Sequence, residues 1–164
     1  MQKTKNPLIF IVEDSLIYKD LIVGYLQSKK FDNIQVFKNG EECLKAIHQQ
    51  PDIIILDNIY DGISGIELMQ KVKETNPLID FIFLSGQNEI PVAIKIMKLG
   101  AADYIIKNEQ APYRLVRSIE QLLKATKKEK IQKGLNIGVV GFFIMLFVII
   151  MSIILVSIFF NLEL

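Results

Sequence analysis

Five short apolar runs recur along the first two thirds of the chain: Leu8–Val12, Ile34–Phe37, Ile53–Leu56, Phe81–Leu84 and Tyr104–Ile106. Four of the five are continuous, not alternating, which suits strands buried on both faces of a parallel sheet. Between them lie segments with helical spacing. They are marked by Leu16, Ile17, Leu21, Ile22, Tyr25 and Leu26, then Cys43, Leu44 and Ile47, then Ile66, Leu68, Met69 and Val72. Val92, Ile94, Ile96, Met97 and Leu99 mark the fourth, and Leu115, Val116, Ile119, Leu122 and Leu123 the fifth. Ser15 and Ser64 are placed to cap helices, Asn76-Pro77 to end the third and Gly100 to end the fourth. Five β-then-α units predict an open, doubly wound α/β sheet.

Such a sheet places its site beyond the carboxyl ends of its strands. The first strand runs into Glu13-Asp14, the third into Asp57, the fourth into Ser85-Gly86 and the fifth into Lys107; the second meets Lys38-Asn39-Gly40, an ordinary turn. Three carboxylates, a hydroxyl and a lysine therefore converge on one rim. Clustered carboxylates repel unless a cation joins them, and Mg²⁺ is the natural hard partner for oxygen ligands. A lysine and a hydroxyl opposite that ion suit the remaining oxygens of a phosphoryl group, with Asp57 as the central nucleophile. Charged residues at strand ends are common singly, because those ends meet water; here four of the five strand ends carry complementary chemistry. A glycine-rich nucleotide loop is absent from the sequence, which argues against a nucleotide-binding enzyme on a similar sheet.

The charges divide the chain. Residues 1–113 hold twelve basic and fifteen acidic side chains, residues 114–133 hold seven basic and two acidic, and residues 134–164 hold only Glu163. From Leu135 to Phe160 every residue is apolar or small and uncharged except Asn136. As a helix this run would reach about 39 Å, enough to cross a hydrocarbon core of roughly 30 Å. Lys124, Lys127, Lys128, Lys130 and Lys133 precede it, so the positive-inside rule puts the sheet domain in the cytoplasm and draws the lysines to anionic lipid. The expected organisation is a domain over 1–123, a basic linker over 124–133 and a transmembrane helix over 134–161. Gly134 and Gly138 have the GxxxG spacing that lets helices approach, although glycine is also simply common in membrane helices. The net charge of +1 gives no case for nucleic acid, and the single cysteine, Cys43, excludes an internal disulfide and is expected to be a small buried residue. His48, beside Gln49-Gln50-Pro51, reads as a solvated helix-end residue.

The segments Ile9-Phe10-Ile11-Val12-Glu13-Asp14-Ser15, Pro51-Asp52-Ile53-Ile54-Ile55-Leu56-Asp57, Gly62-Ile63-Ser64-Gly65-Ile66-Glu67-Leu68 and Phe83-Leu84-Ser85-Gly86 keep a definite order and spacing. With Ala93-Ile94-Lys95 and the stretch Met97-Lys98-Leu99-Gly100-Ala101-Ala102-Asp103-Tyr104-Ile105-Ile106-Lys107, they resemble the receiver domain of two-component response regulators over residues 8 to about 125. The resemblance implies a flavodoxin-like five-stranded sheet of order 2-1-3-4-5. It implies Asp57 as phosphoacceptor from a histidine kinase or phosphotransfer protein, and Glu13, Asp14, Asp57 and the backbone carbonyl of Ile59 as Mg²⁺ ligands. Lys107 and Ser85 would meet the phosphoryl oxygens, Tyr104 would be the aromatic switch and Gly86 the small residue giving access. The fourth helix, with Lys95 and Lys98, and the fifth strand and helix would be the output and homodimer face. Three departures stand out. Asp61 and Asn108 replace prolines usual in the family, so a trans bond or strain is expected after Lys107, and Gly86 replaces a common alanine and should loosen its loop.

The expectation is a stand-alone receiver, single-pass in the inner (plasma) membrane, not an enzyme beyond chemistry at its own aspartate. Its output would be protein interaction, phosphorelay or drainage of phosphate from a kinase. A receiver fold used at the membrane as a phosphorylation-independent docking module is the alternative. A hydrolase on a flavodoxin-like sheet would need a substrate pocket that so short a chain has little room to build.

Overall fold

The computed structural model describes residues 6–57, 62–86 and 90–162, with the side chains of 126–140 and 153–162 outside the description. Five parallel strands, β1 (Ile9–Val12), β2 (Ile34–Phe37), β3 (Ile53–Asp57), β4 (Asp80–Ser85) and β5 (Asp103–Ile106), form one sheet in the order β2-β1-β3-β4-β5. The helices are α1 (Leu16–Ser28), α2 (Gly40–Ala46), α3 (Gly65–Thr75), α4 (Ile90–Lys98) and α5 (Ala111–Leu162), with a 3₁₀ turn over Ile47–Gln49. The expected doubly wound sheet and its strand order are both present. The chain divides into two compact units, Met1–Lys124 and Ala125–Leu164.

Strand periodicity explains the two cores. Ile9, Ile11, Ile53, Ile55, Ile82, Leu84 and Ile105 face one side and pack with Ile22 and Leu26 of α1 and Leu115 and Ile119 of α5. Phe10, Val12, Ile54, Leu56, Phe81 and Phe83 face the other and pack with Cys43, Leu68, Met69, Val72 and Ile96. β1 and the apolar part of β3 lie between these layers and are buried throughout, which is why their sequences are continuous runs. Each fully buried side chain of this size contributes roughly 2 kcal/mol of hydrophobic stabilisation.

The caps follow the sequence. Ser15 Oγ accepts from the Tyr18 N–H at 3.4 Å, and Ser64 Oγ from the Glu67 N–H at 3.2 Å. Asn76 caps the end of α3, and Gly100 after α4 takes φ +98°, open to glycine at little cost. The Lys38-Asn39-Gly40 turn is more than ordinary. Asn39 Oδ1 accepts from the Glu42 N–H at 3.0 Å while Glu42 reaches back to the Lys38 N–H at 3.1 Å, so it starts α2.

Two expectations change. Leu16, Ile17 and Leu21 do not point into the core; they are 69%, 85% and 47% exposed. The apolar residues of α1 lie on two sides of the helix, and only the side carrying Ile22 and Leu26 meets the sheet. The transmembrane helix expected over 134–161 is not found: among the described residues no helix is long and apolar enough to cross a membrane. The described side chains of that stretch run from Gly141 to Ser152; such a length spans about 18 Å, short of a hydrocarbon core. Gly134, Gly138 and most of the basic linker lie outside the described side chains.

Candidate functional site

The strand ends gather the acidic residues as the topology requires. β1 and β3 are neighbours, with Val12 paired to Leu56, so the residues that follow them, Glu13-Asp14 and Asp57, emerge side by side. Oxygen atoms of Glu13, Asp14 and Asp57 all lie within 4.8 Å of one another. Two like charges at such a distance repel by about 4 kcal/mol in a partly screened protein environment. Lys107 answers part of this repulsion. Its Nζ donates to Glu13 Oε2 at 2.7 Å and to Asp57 Oδ2 at 2.7 Å. The lysine is held in reach because the Lys107 N–H donates to the Ser85 carbonyl at 2.7 Å, extending β5 beyond its last strand residue.

The three carboxylates have distinct surroundings. Glu13 is only 4% exposed, Asp57 is half-buried and Asp14 is exposed. Burial pushes the Glu13 carboxyl above its ordinary 4.5, and the Asp57 charge adds to the rise; Lys107 and the Ser15 N–H oppose it. Three carboxylates and one ammonium carry a formal net charge of −2, and a divalent cation would balance it. The donor set, all hard oxygen, fits Mg²⁺.

Ser85 is fully buried at the end of β4, one residue beyond the Asp57–Leu84 pair. Tyr104 on β5 is paired with Phe83 on β4, and is half-buried and packed against the cluster that contains Phe81 and Phe83. Ile59 and Asp61 lie outside the described residues. The sequence reading missed Tyr18, whose ring centroid is 4.2 Å from Lys107 Nζ. It also missed Glu41, whose Oε1 accepts from the Ile63 N–H at 2.8 Å and ties the loop after β3 to α2.

The sequence matches the response regulator receiver domain family over residues 9–120. The chain belongs to that family. Its receiver domain is 32% identical over 130 residues to the transcriptional regulatory protein YesN of Bacillus subtilis, covering 76% of this chain and 34% of that protein. It is 27% identical over 120 residues to the chemotaxis protein CheY of Listeria monocytogenes, covering 73% of this chain and 98% of that protein. The crystal structure of the receiver domain of NtrX from Brucella abortus superposes with a TM-score of 0.64 at 27% identity, covering 71% of this chain and 98% of that one. The chain spans about a third of YesN and 52% of the transcriptional regulatory protein CreB of Escherichia coli. Receiver domains are phosphoacceptor signalling modules that work with histidine kinases or phosphotransfer proteins and bind Mg²⁺ in an acidic pocket.

Of the three departures, Asn108 and Gly86 fall on described residues. Among the described residues no peptide bond is cis, so the Lys107–Asn108 bond is trans. Asn108 opens a turn instead, its Oδ1 accepting from the Gln110 N–H at 3.0 Å and its carbonyl from the Ala111 N–H at 3.0 Å. Gly86 is exposed and takes no positive φ. His48 is exposed, with Nδ1 2.9 Å from the Lys45 carbonyl, and Cys43 is fully buried.

Proposed function

We propose that this receiver accepts a phosphoryl group on Asp57 from the phosphohistidine of a histidine kinase or phosphotransfer protein. The observation that carries the reading is Lys107 Nζ seated 2.7 Å from both Glu13 and Asp57, with Asp14 in the same cluster. A carboxylate oxygen of Asp57 attacks phosphorus, the P–N bond to the donor imidazole breaks, and an acyl phosphate forms. Lys107 then moves its charge-assisted hydrogen bond from the Asp57 oxygen to a phosphoryl oxygen. Ser85, buried at the adjacent strand end, supplies a hydroxyl to the same group, and Tyr104 follows the movement of Ser85. Glu13, Asp14 and Asp57 would hold Mg²⁺, together with the carbonyl of Ile59. Bound there, the ion would offset negative charge on the phosphoryl oxygens. Full-length protein incubated with Mg²⁺ and acetyl phosphate should gain the mass of one phosphoryl group, and Asp57→Asn should not. No gain in the wild type, or an equal gain in the variant, defeats this reading and leaves the docking module.

Membrane attachment is the second part of the reading, supported by the sequence alone: the uncharged run Leu135–Phe160 follows seven basic side chains within residues 114–133. The receiver would then face the cytoplasm from the inner (plasma) membrane. Alkaline carbonate should leave the protein in the membrane pellet, and its release into the supernatant would count against a spanning anchor. Exposed Ile90, Ile94 and Met97 on α4 and Tyr113 on α5 support an output or self-association face there.

A further inference from the structure

Tyr18 is a site neighbour that neither the strand ends nor the phosphoacceptor reading calls for. It lies in the first turn of α1, half-buried, with its ring 4.2 Å from Lys107 Nζ. The ammonium gives two of its N–H donors to Glu13 and Asp57, each at 2.7 Å. The ring covers a further side, within the range where an aromatic face attracts a cation. The Tyr18 hydroxyl is buried and has no hydrogen-bond partner among the described residues. The contact that places Tyr18 in the site is thus its ring and not its hydroxyl.

We propose that Tyr18 is a positioning residue for Lys107. Its ring face fixes the ammonium between Glu13 and Asp57, so the arriving phosphoryl oxygen meets a charge already in place. The inference rests on Asp57 as phosphoacceptor. An ammonium on a flexible four-carbon stem has many positions available to it, and the ring removes those that swing away from the carboxylates. Charge aimed beforehand at a developing negative oxygen costs no reorganisation when the reaction occurs. Burial, with Glu13 and Asp57 nearby, raises the phenol to about 12. The ring therefore stays neutral in the working range.

The test compares full-length wild type, Tyr18→Phe and Tyr18→Leu, with Tyr18→Met as a second ring-free variant should the leucine not fold. Two quantities are read: the rate of phosphorylation by acetyl phosphate with Mg²⁺, and the NMR shift of the Lys107 ε-methylene protons without phosphodonor. The phenylalanine variant should keep the upfield ring-current shift and the wild-type rate. The ring-free variants should lose the shift and react about two- to fivefold more slowly, the range that one cation–π contact commands. A ring-free variant at the wild-type rate, or a Lys107 shift unmoved by loss of the ring, overturns the assignment. So does a phenylalanine variant as slow as the leucine, because the hydroxyl would then carry the effect. If the wild type takes up no phosphate, the phosphoacceptor reading fails, and the Lys107 shift alone still decides whether Tyr18 places the ammonium.

Discussion

Lys107 Nζ and Asp57 Oδ2 stand 2.7 Å apart, although fifty positions separate them in the chain. The same ammonium serves Glu13, which is almost fully buried. Removing it leaves a buried carboxylate beside two others without the ammonium that offsets them. Lys107→Met should therefore lower stability by about 3 kcal/mol in the absence of divalent ions, the usual cost of breaking a buried pair from one side. Mg²⁺ should recover part of that loss, because a cation on the three carboxylates replaces the missing charge. Urea denaturation with and without Mg²⁺ measures both effects; equal midpoints for variant and wild type would count against the role of Lys107 as internal counter-ion.

Glu13 gives a pH signature with a definite sign. Its carboxyl is raised above 4.5 in the folded chain, chiefly by burial. Between 4.5 and the raised value the folded protein binds more protons than the unfolded one, so metal-free stability falls as pH rises through that window. Glu13→Gln should remove this decline and leave the variant at least as stable as wild type at neutral pH. The same variant should lose most of the stabilisation that Mg²⁺ gives the wild type. Thermal melts from pH 4 to 8, with and without Mg²⁺, read both; an unchanged pH slope in the variant would show that another group sets it.

Much of this was legible in the sequence, for physical reasons. β1, β3 and β4 are sandwiched between helices, so burial on both faces wrote them as continuous apolar runs. The acidic and basic residues of the site follow directly from strand ends, which the topology sends to one rim. α1 was harder. Leu16, Ile17 and Leu21 add apolar residues outside its buried stripe, and periodicity alone does not tell an exposed apolar face from a core one. Tyr18 and Glu41 were illegible for another reason. Their meaning depends on Lys107, 89 residues away, and on Ile63, 22 away, and such separations exist only after folding. The Lys107–Asn108 bond shows the reverse case: the lost proline left a trans bond or strain as the expectation, and the bond is trans.

Two glycines flanking the site should respond differently to alanine. Gly62 takes φ +104°, and a Cβ there would run into the Glu41 carboxylate that holds the Ile63 N–H. Gly62→Ala should destabilise by about 1–2 kcal/mol from backbone strain alone, and should slow phosphorylation if the loop after β3 shifts. Gly86 has no positive φ, and a Cβ there meets nothing within 4 Å among the described residues. Gly86→Ala should be neutral, or stabilising by about 0.4–1 kcal/mol through the unfolded chain. Chemical denaturation of the pair is the check, and equal costs at the two positions would contradict the difference in their backbones.

Cys43 offers a probe of the second core that is independent of the site. Its side chain is fully buried in α2 among Phe10, Leu68 and Met69, and burial pushes the thiol from its ordinary 9.0 to about 12. Above pH 9 the unfolded chain gives up this proton while the folded chain keeps it, so the folded state binds more protons and stability falls with rising pH. The slope attributable to one such group approaches about 1.4 kcal/mol per pH unit. Tyr18, raised from 10.0 to about 12, adds a smaller term of the same sign between pH 9 and 10, so the cysteine's share is the part of the slope in that window that its removal abolishes. Cys43→Ala should flatten the fall in stability across that window, at the cost of a small cavity at every pH. In the folded wild type the thiol should also resist a disulfide reagent at pH 8, reacting only as fast as the chain opens. Rapid labelling of the native protein, or an alanine variant with the wild-type slope, would place Cys43 outside the closed core.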